Sequence, residues 1–357
     1  MKYKLSDVVD RINGNVDRFT TSLEYYVGGE HFESNELEIT GCGLIKPNVN
    51  ILGFKFHFAF QPGDVLYMAR NPHLRKAGMV NFSGICSDAS YILRTKDSNV
   101  LCQEYLAVIM QSNHLWDYCE SHKVGSVNFA INWKTLANYE FDLPDINIQR
   151  SIANRIWAAY RVKQAYKKLI SATDEMVKSR FIEWFGDMKY LTSDKTMSDF
   201  FDMKAGQSIT AENIIATYDL ELFPCYGGNG LRGYVTHYTH EGHYCLIGRQ
   251  GALCGNVNLT DGKFFATEHA IVVTPKININ TYWLFFALSE MNLNRFARGV
   301  AQPGLSVKQL ETIPFSIPPT EEQDSFERLY RQADKSKFEL KRAIEAIDKV
   351  IKSLING

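Results

Sequence analysis

Apolar residues recur at alternating intervals of four and three along two long stretches of this chain. The stretches cover about residues 147–185 and 320–355, and each predicts a helix on the order of 50 Å long. The positions of the apolar stripe are Ile152, Ile156, Ala159, Lys163, Tyr166, Ile170, Thr173 and Val177 in the first stretch, and Phe326, Tyr330, Ala333, Lys337, Leu340, Ile344, Ile347 and Ile351 in the second. A narrow stripe on so long a helix predicts packing against another helix.

The two stretches are copies of one another. Residues 125–180 align with residues 299–354 without a gap, at an offset of 174 residues. Identical residues in the two copies are Gly125 and Gly299, Lys134 and Lys308, Leu136 and Leu310, Phe141 and Phe315, Pro144 and Pro318, and Gln149 and Gln323. An internal duplication predicts that the natural partner of each helix is its own copy. Two alternatives stay open: each helix packs on its own globular module, or two chains pair through their helices.

The segments before the helices read as globular modules. The pattern predicts short strands at Asp64–Met68, Ala89–Arg94, Tyr244–Ile247 and Ala270–Thr274, and helices near Val100–Glu120 and Thr281–Arg298. We therefore predict a mixed α/β (α+β) fold with a pseudo-twofold repeat. Its two globular modules are separated by two long antiparallel helices that form an intramolecular coiled coil. The predicted intervals are 1–145, 146–189, 190–319 and 320–357.

The modules also repeat, but more loosely than the helices. The segment from Gly63 to Arg70 aligns with the segment from Gly242 to Arg249, and Ser87-Asp88-Ala89 aligns with Thr267-Glu268-His269. Between such anchors the residues differ almost freely. Two modules with a shared scaffold and different surfaces are predicted to bind two different things.

Composition narrows the class of protein without naming a function. The chain is 45% hydrophobic, carries a net charge of -1 and has seven cysteines without a Cys-x-x-Cys pair, which indicates a folded cytoplasmic protein with reduced thiols. No apolar run approaches the length of a membrane helix, and the first residues lack the apolar stretch of a signal peptide. Basic residues concentrate in Lys46–Lys76 and Ile146–Thr173, a pattern shared by solvated helix faces and phosphate-binding surfaces.

Several catalytic motifs are approached but not completed. The segment Gly228-Asn229-Gly230-Leu231-Arg232-Gly233 matches G-x-G-x-x-G, but the β-like segment after it argues against a dinucleotide site. We interpret it as a flexible polar recognition loop. Asn71-Pro72-His73-Leu74 lacks the second proline and the aromatic residue of an adenine-methyltransferase motif. No His-Glu-x-x-His spacing or nucleophile elbow is present. We predict no catalytic residue, no metal site and no cofactor in this chain.

Polar loops at matching places in the two modules are the candidate binding residues. Arginine, lysine, asparagine and glutamine are the side chains that pair with base edges in the major groove of DNA. In the first module the candidates are Lys46, Arg70, Asn71, His73, Arg75, Lys76 and Asn128. In the second module they are Tyr226, Asn229, Arg232, Arg249, Gln250 and Gln302. The alignment pairs the loop that starts at Arg70 with the loop that starts at Arg249, and it pairs Asn128 with Gln302.

This order of module, helix, module and helix resembles the specificity subunit of type I restriction-modification systems (the HsdS family). The residues that carry the resemblance are the repeated Gly–Lys–Leu–Phe–Pro–Gln series and the segment from Tyr226 to Val235. The resemblance implies that each module is a target recognition domain that reads half of a split double-stranded DNA sequence. It implies two methyltransferase (M) subunits that carry S-adenosylmethionine, and motor-nuclease (R) subunits that use ATP and Mg. The chain itself would be a non-catalytic subunit.

Two other functions stay open on the sequence alone. The chain could be a standalone DNA methyltransferase or nuclease, against which the missing motifs count. It could also be a coiled-coil scaffold whose modules bind proteins, and salt-dependent DNA binding would distinguish that function from DNA recognition.

Overall fold

A computed structural model describes residues 2–45, 52–251, 253–299 and 303–357. The chain divides into two compact units, and both divisions fall inside the long helices. The first unit comprises Met1–Lys168 with Lys341–Gly357, and the second comprises Leu169–Leu340. Each unit therefore contains one globular module and part of each long helix.

The first unit mixes short strands and helices. Its elements are β1 Lys2–Lys4, α1 Leu5–Val8, β2 Val9–Ile12, β3 Tyr25–Val27, β4 Gly43–Leu44, β5 Phe56–Phe60, β6 Val65–Met68, β7 Ala77–Met79, β8 Gly84–Ser87, β9 Ser90–Thr95, α2 Gln103–Ile109, α3 Asn113–His122, α4 Trp133–Ala137, β10 Glu140–Asp142 and the start of α5 Ile146–Phe185. One sheet has the order β2-β9-β6-β7, a second has the order β4-β3-β8-β5, and β1 pairs with β10. The main core includes Tyr67 of β6 stacked on Trp116 of α3, with 5.2 Å between the ring centroids.

The second unit repeats this plan. Its elements are α6 Met197–Phe200, β11 Phe201–Ala205, β12 Phe223–Gly227, β13 Gly230–Val235, β14 His240–Glu241, β15 Tyr244–Gly248, β16 Val257–Thr260, β17 Lys263–Ala266, β18 Ala270–Pro275, α7 Thr281–Glu290, α8 Val307–Glu311 and the start of α9 Thr320–Asn356. The sheets have the orders β11-β18-β15-β16 and β13-β12-β17-β14. In each unit the second sheet contains one parallel pair, β3 with β8 and β12 with β17. The two units therefore share strand order as well as sequence.

Small polar devices recur at the same places in both units. The backbone N–H of Lys4 donates to Asp7 Oδ2 at 2.8 Å, and that of Thr196 donates to Asp199 Oδ2 at 2.7 Å, so each short helix begins with a side-chain cap. At the entry to the long helices the fully buried amides of Gln149 and Gln323 satisfy backbone groups of the adjacent loops. Gln149 donates to the carbonyl of Pro144 and Gln323 to the carbonyl of Pro318.

Both long helices form and pack together, which confirms the predicted fold class. In the second unit the side chains of Phe181 and Phe326 meet with 5.0 Å between ring centroids, and Lys337 donates to Asp174 at 2.6 Å. Numbers that rise along α5 meet numbers that fall along α9, so the helices are antiparallel. Every predicted stripe position is buried or half-buried, as a helix-to-helix seam requires. The alternative in which each helix packs only on its own module does not hold.

The lysines that interrupt the two stripes form equivalent ion pairs. In the first unit Lys163 Nζ lies 2.7 Å from Asp348 Oδ1, and in the second Lys337 Nζ lies 2.6 Å from Asp174 Oδ1. Both partners of the second pair are displaced by 174 residues in the first, so one contact is written twice in the sequence. Lys163 is more deeply buried than Lys337, because it also bonds to Glu36 of its own module, at 2.8 Å.

Two predicted module helices differ from the structure. The helix expected over 100–120 is two helices, because Ser112 accepts from the N–H of Leu115 and starts α3 afresh. The helix expected over 281–298 ends at Glu290, since Asn292 adopts the left-handed conformation with φ 51°. Neither these helices nor the others in the described part of the chain are long and apolar enough to cross a membrane.

Candidate nucleic-acid interface

In the first unit, two candidate loops lie side by side at the end of β6. Arg70 forms an isolated antiparallel bridge with Ala130, and the backbone N–H of Asn71 donates to the carbonyl of Phe129 at 2.8 Å. Arg70 and Asn128 are both exposed. The structure thus brings together Arg70, Asn71 and Asn128, which are 58 or fewer residues apart in sequence but belong to different loops.

Other candidates of the first unit have partners inside the protein. Arg75 Nη1 donates to Asn113 Oδ1 at 2.7 Å, and Lys76 Nζ donates to the carbonyl of Gly29 at 2.7 Å. Arg75 and the exposed His73 also line a cavity of about 490 Å³ beside the last turns of α9. These contacts hold the loop in place, and they leave Arg70 as the cation of this loop with the greatest freedom to turn outward. Lys46 lies outside the described residues.

The loop after β6 has a constrained backbone. Asn71 and Arg75 flank the short turn Pro72–Leu74, and both have positive φ angles, 52° and 49°. Asparagine accepts this conformation readily, whereas arginine does so at a cost of about 1–2 kcal/mol. The carbonyl of Arg75 accepts from the N–H of Asn35, which helps to hold it there. The loop is therefore a preformed feature of the surface.

The second unit has the same arrangement at the end of β15. Gln250 forms an isolated bridge with Gly304, and the N–H of Leu305 donates to the carbonyl of Arg249 at 2.8 Å. Gly304 also pairs with Arg298, as Ala130 pairs with Val124 in the first unit, and both residues of this pair are displaced by 174. Gln302, the predicted counterpart of Asn128, lies outside the described residues.

Strand pairing corrects the sequence alignment of these loops by one residue. Val65 of β6 pairs with Leu93, and Cys245 of β15 pairs with Val273, so the counterpart of Arg70 is Gln250. The predicted pairing of Arg70 with Arg249 is wrong. It followed from aligning Gly63 with Gly242, but those glycines precede the strands, whereas the hydrogen-bond register fixes which side chain leaves each strand end.

The glycine-rich segment of the second module is a β-hairpin. Strands β12 and β13 are joined by Gly228 and the exposed Asn229. A strand follows the glycines, which confirms that this is not a dinucleotide site, but the prediction of a flexible loop is wrong. The carbonyl oxygen of Gly228 sits against the α-carbon of Gly248, in a space that any Cβ would fill. The hairpin tip is thereby held against the start of the loop that carries Arg249.

Two hairpin candidates differ in what they can offer a ligand. The ring of Tyr226 is half-buried and meets Phe264 edge-on, with 6.0 Å between centroids. Burial raises the pKa of the Tyr226 hydroxyl, so this side chain contributes packing. Arg232 is exposed, and its aliphatic part lies over Gly227, where a Cβ would meet it at 2.5 Å.

His269 was missed by the sequence reasoning. Its Nδ1 lies 3.1 Å from Gln250 Oε1, and its Nε2 lies 3.3 Å from Glu268 Oε1. The available signal was the alignment of Thr267-Glu268-His269 with Ser87-Asp88-Ala89, in which a histidine replaces an alanine. Only the fold shows that this turn touches the candidate loop.

A family profile matches most of the chain. Residues 1–171 and 192–347 match the Type I restriction modification DNA specificity domain. The chain belongs to this DNA specificity family. The predicted resemblance to a type I specificity subunit is confirmed, and subunits of this family recognise DNA and are not catalytic.

Named relatives of the specificity family match shorter segments. The type I restriction enzyme EcoprrI specificity subunit of Escherichia coli is 49% identical over 130 residues, which cover 36% of this chain and 32% of that protein. A putative type I restriction enzyme specificity subunit of Haemophilus influenzae, S.HindORF215P, is 36% identical over 99 residues, 27% of this chain and 26% of that protein. The chain thus aligns with about a third or less of the length of these relatives.

Solved structures of the specificity family share the fold over nearly the whole chain. The S subunit of a type I system from M. genitalium superposes with a TM-score of 0.65 at 15% identity, covering 99% of this chain and 94% of that one. A chain from a study of complex assembly and conformational transition of the type I R-M system gives a TM-score of 0.59 at 16% identity, covering 99% and 96%. At such identities the likeness concerns the fold alone.

A metal ion has no evident place in the described parts of this specificity protein. Across residues 2–45, 52–251, 253–299 and 303–357, no group of three or more His, Cys, Asp or Glu side chains could hold one. The seven cysteines are free thiols, and six of them are buried. Burial raises the pKa of the Cys86 thiol to about 12 and that of Cys119 to about 11, so neither thiol is a nucleophile at neutral pH.

Proposed function

We propose that this chain is the DNA-recognition subunit of a type I restriction-modification complex and reads a bipartite duplex target, one half with each module. The observation that carries the proposal is the pair of matching loop sites. Both lie at the end of the same strand, both are joined to a second loop by the same backbone bridges, and they present different side chains. A shared scaffold with different polar tips suits two readers of two different sequences.

Base reading is assigned to the outermost polar side chains of these sites. In the first module these are Arg70 and Asn128, and in the second Asn229, Arg249 and Gln250. Arginine pairs bidentately with guanine, and asparagine or glutamine with adenine. The other candidates position the loops or contact phosphates, which fix register without specifying sequence.

The domain roles follow the same division. Residues 1–145 and 190–319 are the two target recognition domains, and residues 146–189 and 320–357 are the helical connectors. A stiff connector between two readers turns two weak sites into one stronger bipartite site. Adding or removing a helical turn should therefore change the number of unread base pairs and leave both half-sites unchanged.

The helices also offer surfaces for the partner subunits. Leu169 and Met176 are about half-exposed on α5, and Val350, the counterpart of Met176, is 53% exposed on α9. Exposed apolar side chains at equivalent places fit two copies of one partner, which we take to be two methyltransferase subunits. S-adenosylmethionine would be bound by those subunits, ATP and Mg by the motor-nuclease subunits, and the whole complex would work in the cytoplasm.

Arg249→Ala should relax recognition in the second half-site only. If its guanidinium pairs bidentately with a base, the loss is about 1–3 kcal/mol of discrimination at one position. The measurement is the sequence composition of duplexes that the full chain retains from a random pool. Arg70→Ala is the matched control and should relax a position in the other half-site. An equal loss on all sequences would instead identify Arg249 as a phosphate contact.

A further inference from the structure

The turn Thr267–His269 is the common support of the second candidate site. It joins β17 to β18, and backbone hydrogen bonds connect it to three other segments. The N–H of Thr267 donates to the carbonyl of Tyr226 and that of Glu268 to Gln207, while the carbonyl of His269 accepts from the N–H of Arg249, at 2.9, 3.1 and 2.9 Å. The imidazole of His269 therefore starts from a backbone position that is fixed relative to the candidate loop.

His269 lies between a carboxylate and the candidate amide of Gln250. The Glu268 carboxylate beside Nε2 favours a proton on that nitrogen, since the partner of one ring nitrogen determines where the proton resides. The other nitrogen, Nδ1, lies 3.1 Å from Gln250 Oε1. A hydrogen bond in this orientation requires Nδ1–H, which donates to the amide oxygen and places the Gln250 NH2 group on the far side.

We propose that His269 is a positioning residue that determines which hydrogen-bonding group Gln250 presents to a DNA base. The inference rests on the proposed function and deepens it. With its oxygen held by His269, the exposed amide presents its NH2 group as a donor, which suits acceptors on a base edge such as a purine N7, guanine O6 or thymine O4. A fixed amide also loses less side-chain freedom on binding than a rotating one.

The first unit provides an internal comparison. There the residue equivalent to His269 is Ala89, whose carbonyl accepts from the N–H of Ala69 at 2.8 Å, as that of His269 accepts from Arg249. The backbone contact is thus common to both units, and the side-chain contact to the reading loop is present only in the second. This separates the role of the imidazole from the structural role of the turn.

Two substitutions test the proposal, because each retains one of the two ring nitrogens. The side-chain nitrogen of asparagine falls close to the position of Nδ1, and that of glutamine falls close to Nε2. We expect His269→Asn to keep the base preference of the wild-type chain at the position read by Gln250. We expect His269→Gln to reduce that preference by about tenfold, the scale of one base contact. The measurement is the composition of duplexes retained by the full chain from a random pool at fixed salt.

Gln250→Ala distinguishes failure of this inference from failure of the proposed function. If Gln250→Ala flattens one base position while His269→Gln leaves it as in the wild type, the positioning role is overturned and DNA reading by Gln250 stands. If Gln250→Ala changes no position, Gln250 reads no base, and both the inference and that part of the proposed function fail. Equal flattening by both His269 variants, or an equal loss of affinity for all sequences, would show a structural role and also overturn the proposal.

Discussion

Lys163→Met is expected to destabilise the first unit by about 3 kcal/mol, at the lower end of the range for breaking a buried ion pair. The ammonium of Lys163 is 7% exposed and lies 2.8 Å from Glu36 Oε1 and 2.7 Å from Asp348 Oδ1. Removing it leaves two carboxylates near one another without their shared cation. Lys167, 3.0 Å from Glu36, compensates in part, which is why we expect the lower end of the range.

The repeat supplies the matched control, Lys337→Met. Lys337 occupies the equivalent stripe position, but its partner Asp174 is 57% exposed. A pair with so exposed a partner contributes about 0–1 kcal/mol. Urea unfolding would give the two free energies, and hydrogen exchange would assign each loss to its unit. Equal losses for the two variants would contradict the view that the Glu36 cluster, and not the stripe position, makes Lys163 important.

Acid should reduce the difference between wild type and Lys163→Met. Burial alone would raise the pKa of Glu36, but hydrogen bonds from Lys163 and Lys167 outweigh burial and lower it. A carboxyl whose pKa is lowered on folding stabilises the protein fully above its usual pKa, about 4.3, and loses that contribution as pH falls through the folded value. The expected result is a constant difference near pH 7 and a shrinking one below about pH 4. A difference that grew in acid would contradict the assignment.

Gly248→Ala is expected to abolish selectivity for one half-site while leaving the other intact. A Cβ at Gly248 would collide with the carbonyl oxygen of Gly228 and lie 3.1 Å from that of Leu253. Both neighbours are backbone atoms, so no side chain can rotate away, and overpacking of this kind costs about 1–3 kcal/mol. The strain is relieved by moving the hairpin tip away from the loop that carries Arg249 and Gln250.

Gly304→Ala is the control from the same site. Its Cβ would have Arg249 O, at 3.7 Å, as its nearest neighbour among the described atoms, and its counterpart in the first unit is already an alanine, Ala130. This variant should keep both half-sites. The readout is again the retained sequences, together with thermal unfolding to confirm that each variant is folded. Loss of both half-sites in Gly248→Ala would mean that the substitution unfolds more than the hairpin contact.

Much of the scaffold could be predicted from the sequence because the repeat is nearly gapless through the helices. The alternating spacing gave both long helices to within a residue or two, and the interrupting lysines were visible at equivalent positions. Their partners were also within reach, since Asp174 and Asp348 differ by the same offset of 174. Glu36 was not, because it lies 127 residues from Lys163 in a module that has no gapless copy.

The candidate site was less predictable for a physical reason. Its geometry depends on strand register and on backbone contacts between loops distant in sequence, such as Gln250 with Gly304 and the turn at His269. Residue type suggested Arg75 and Lys76 as readers, but their donors are taken up by Asn113 and Gly29. Side-chain chemistry alone does not reveal which polar groups face outward.

The central claim, that two modules of one chain read two halves of a DNA sequence, is tested most directly by selection from a pool of random duplexes. The full chain, with its methyltransferase partner, would be bound at several salt concentrations and the retained duplexes sequenced. The account predicts two short specified blocks at a constant separation, with unspecified bases between them and binding that weakens steeply with salt. A single block, a variable separation or no enriched sequence would contradict it.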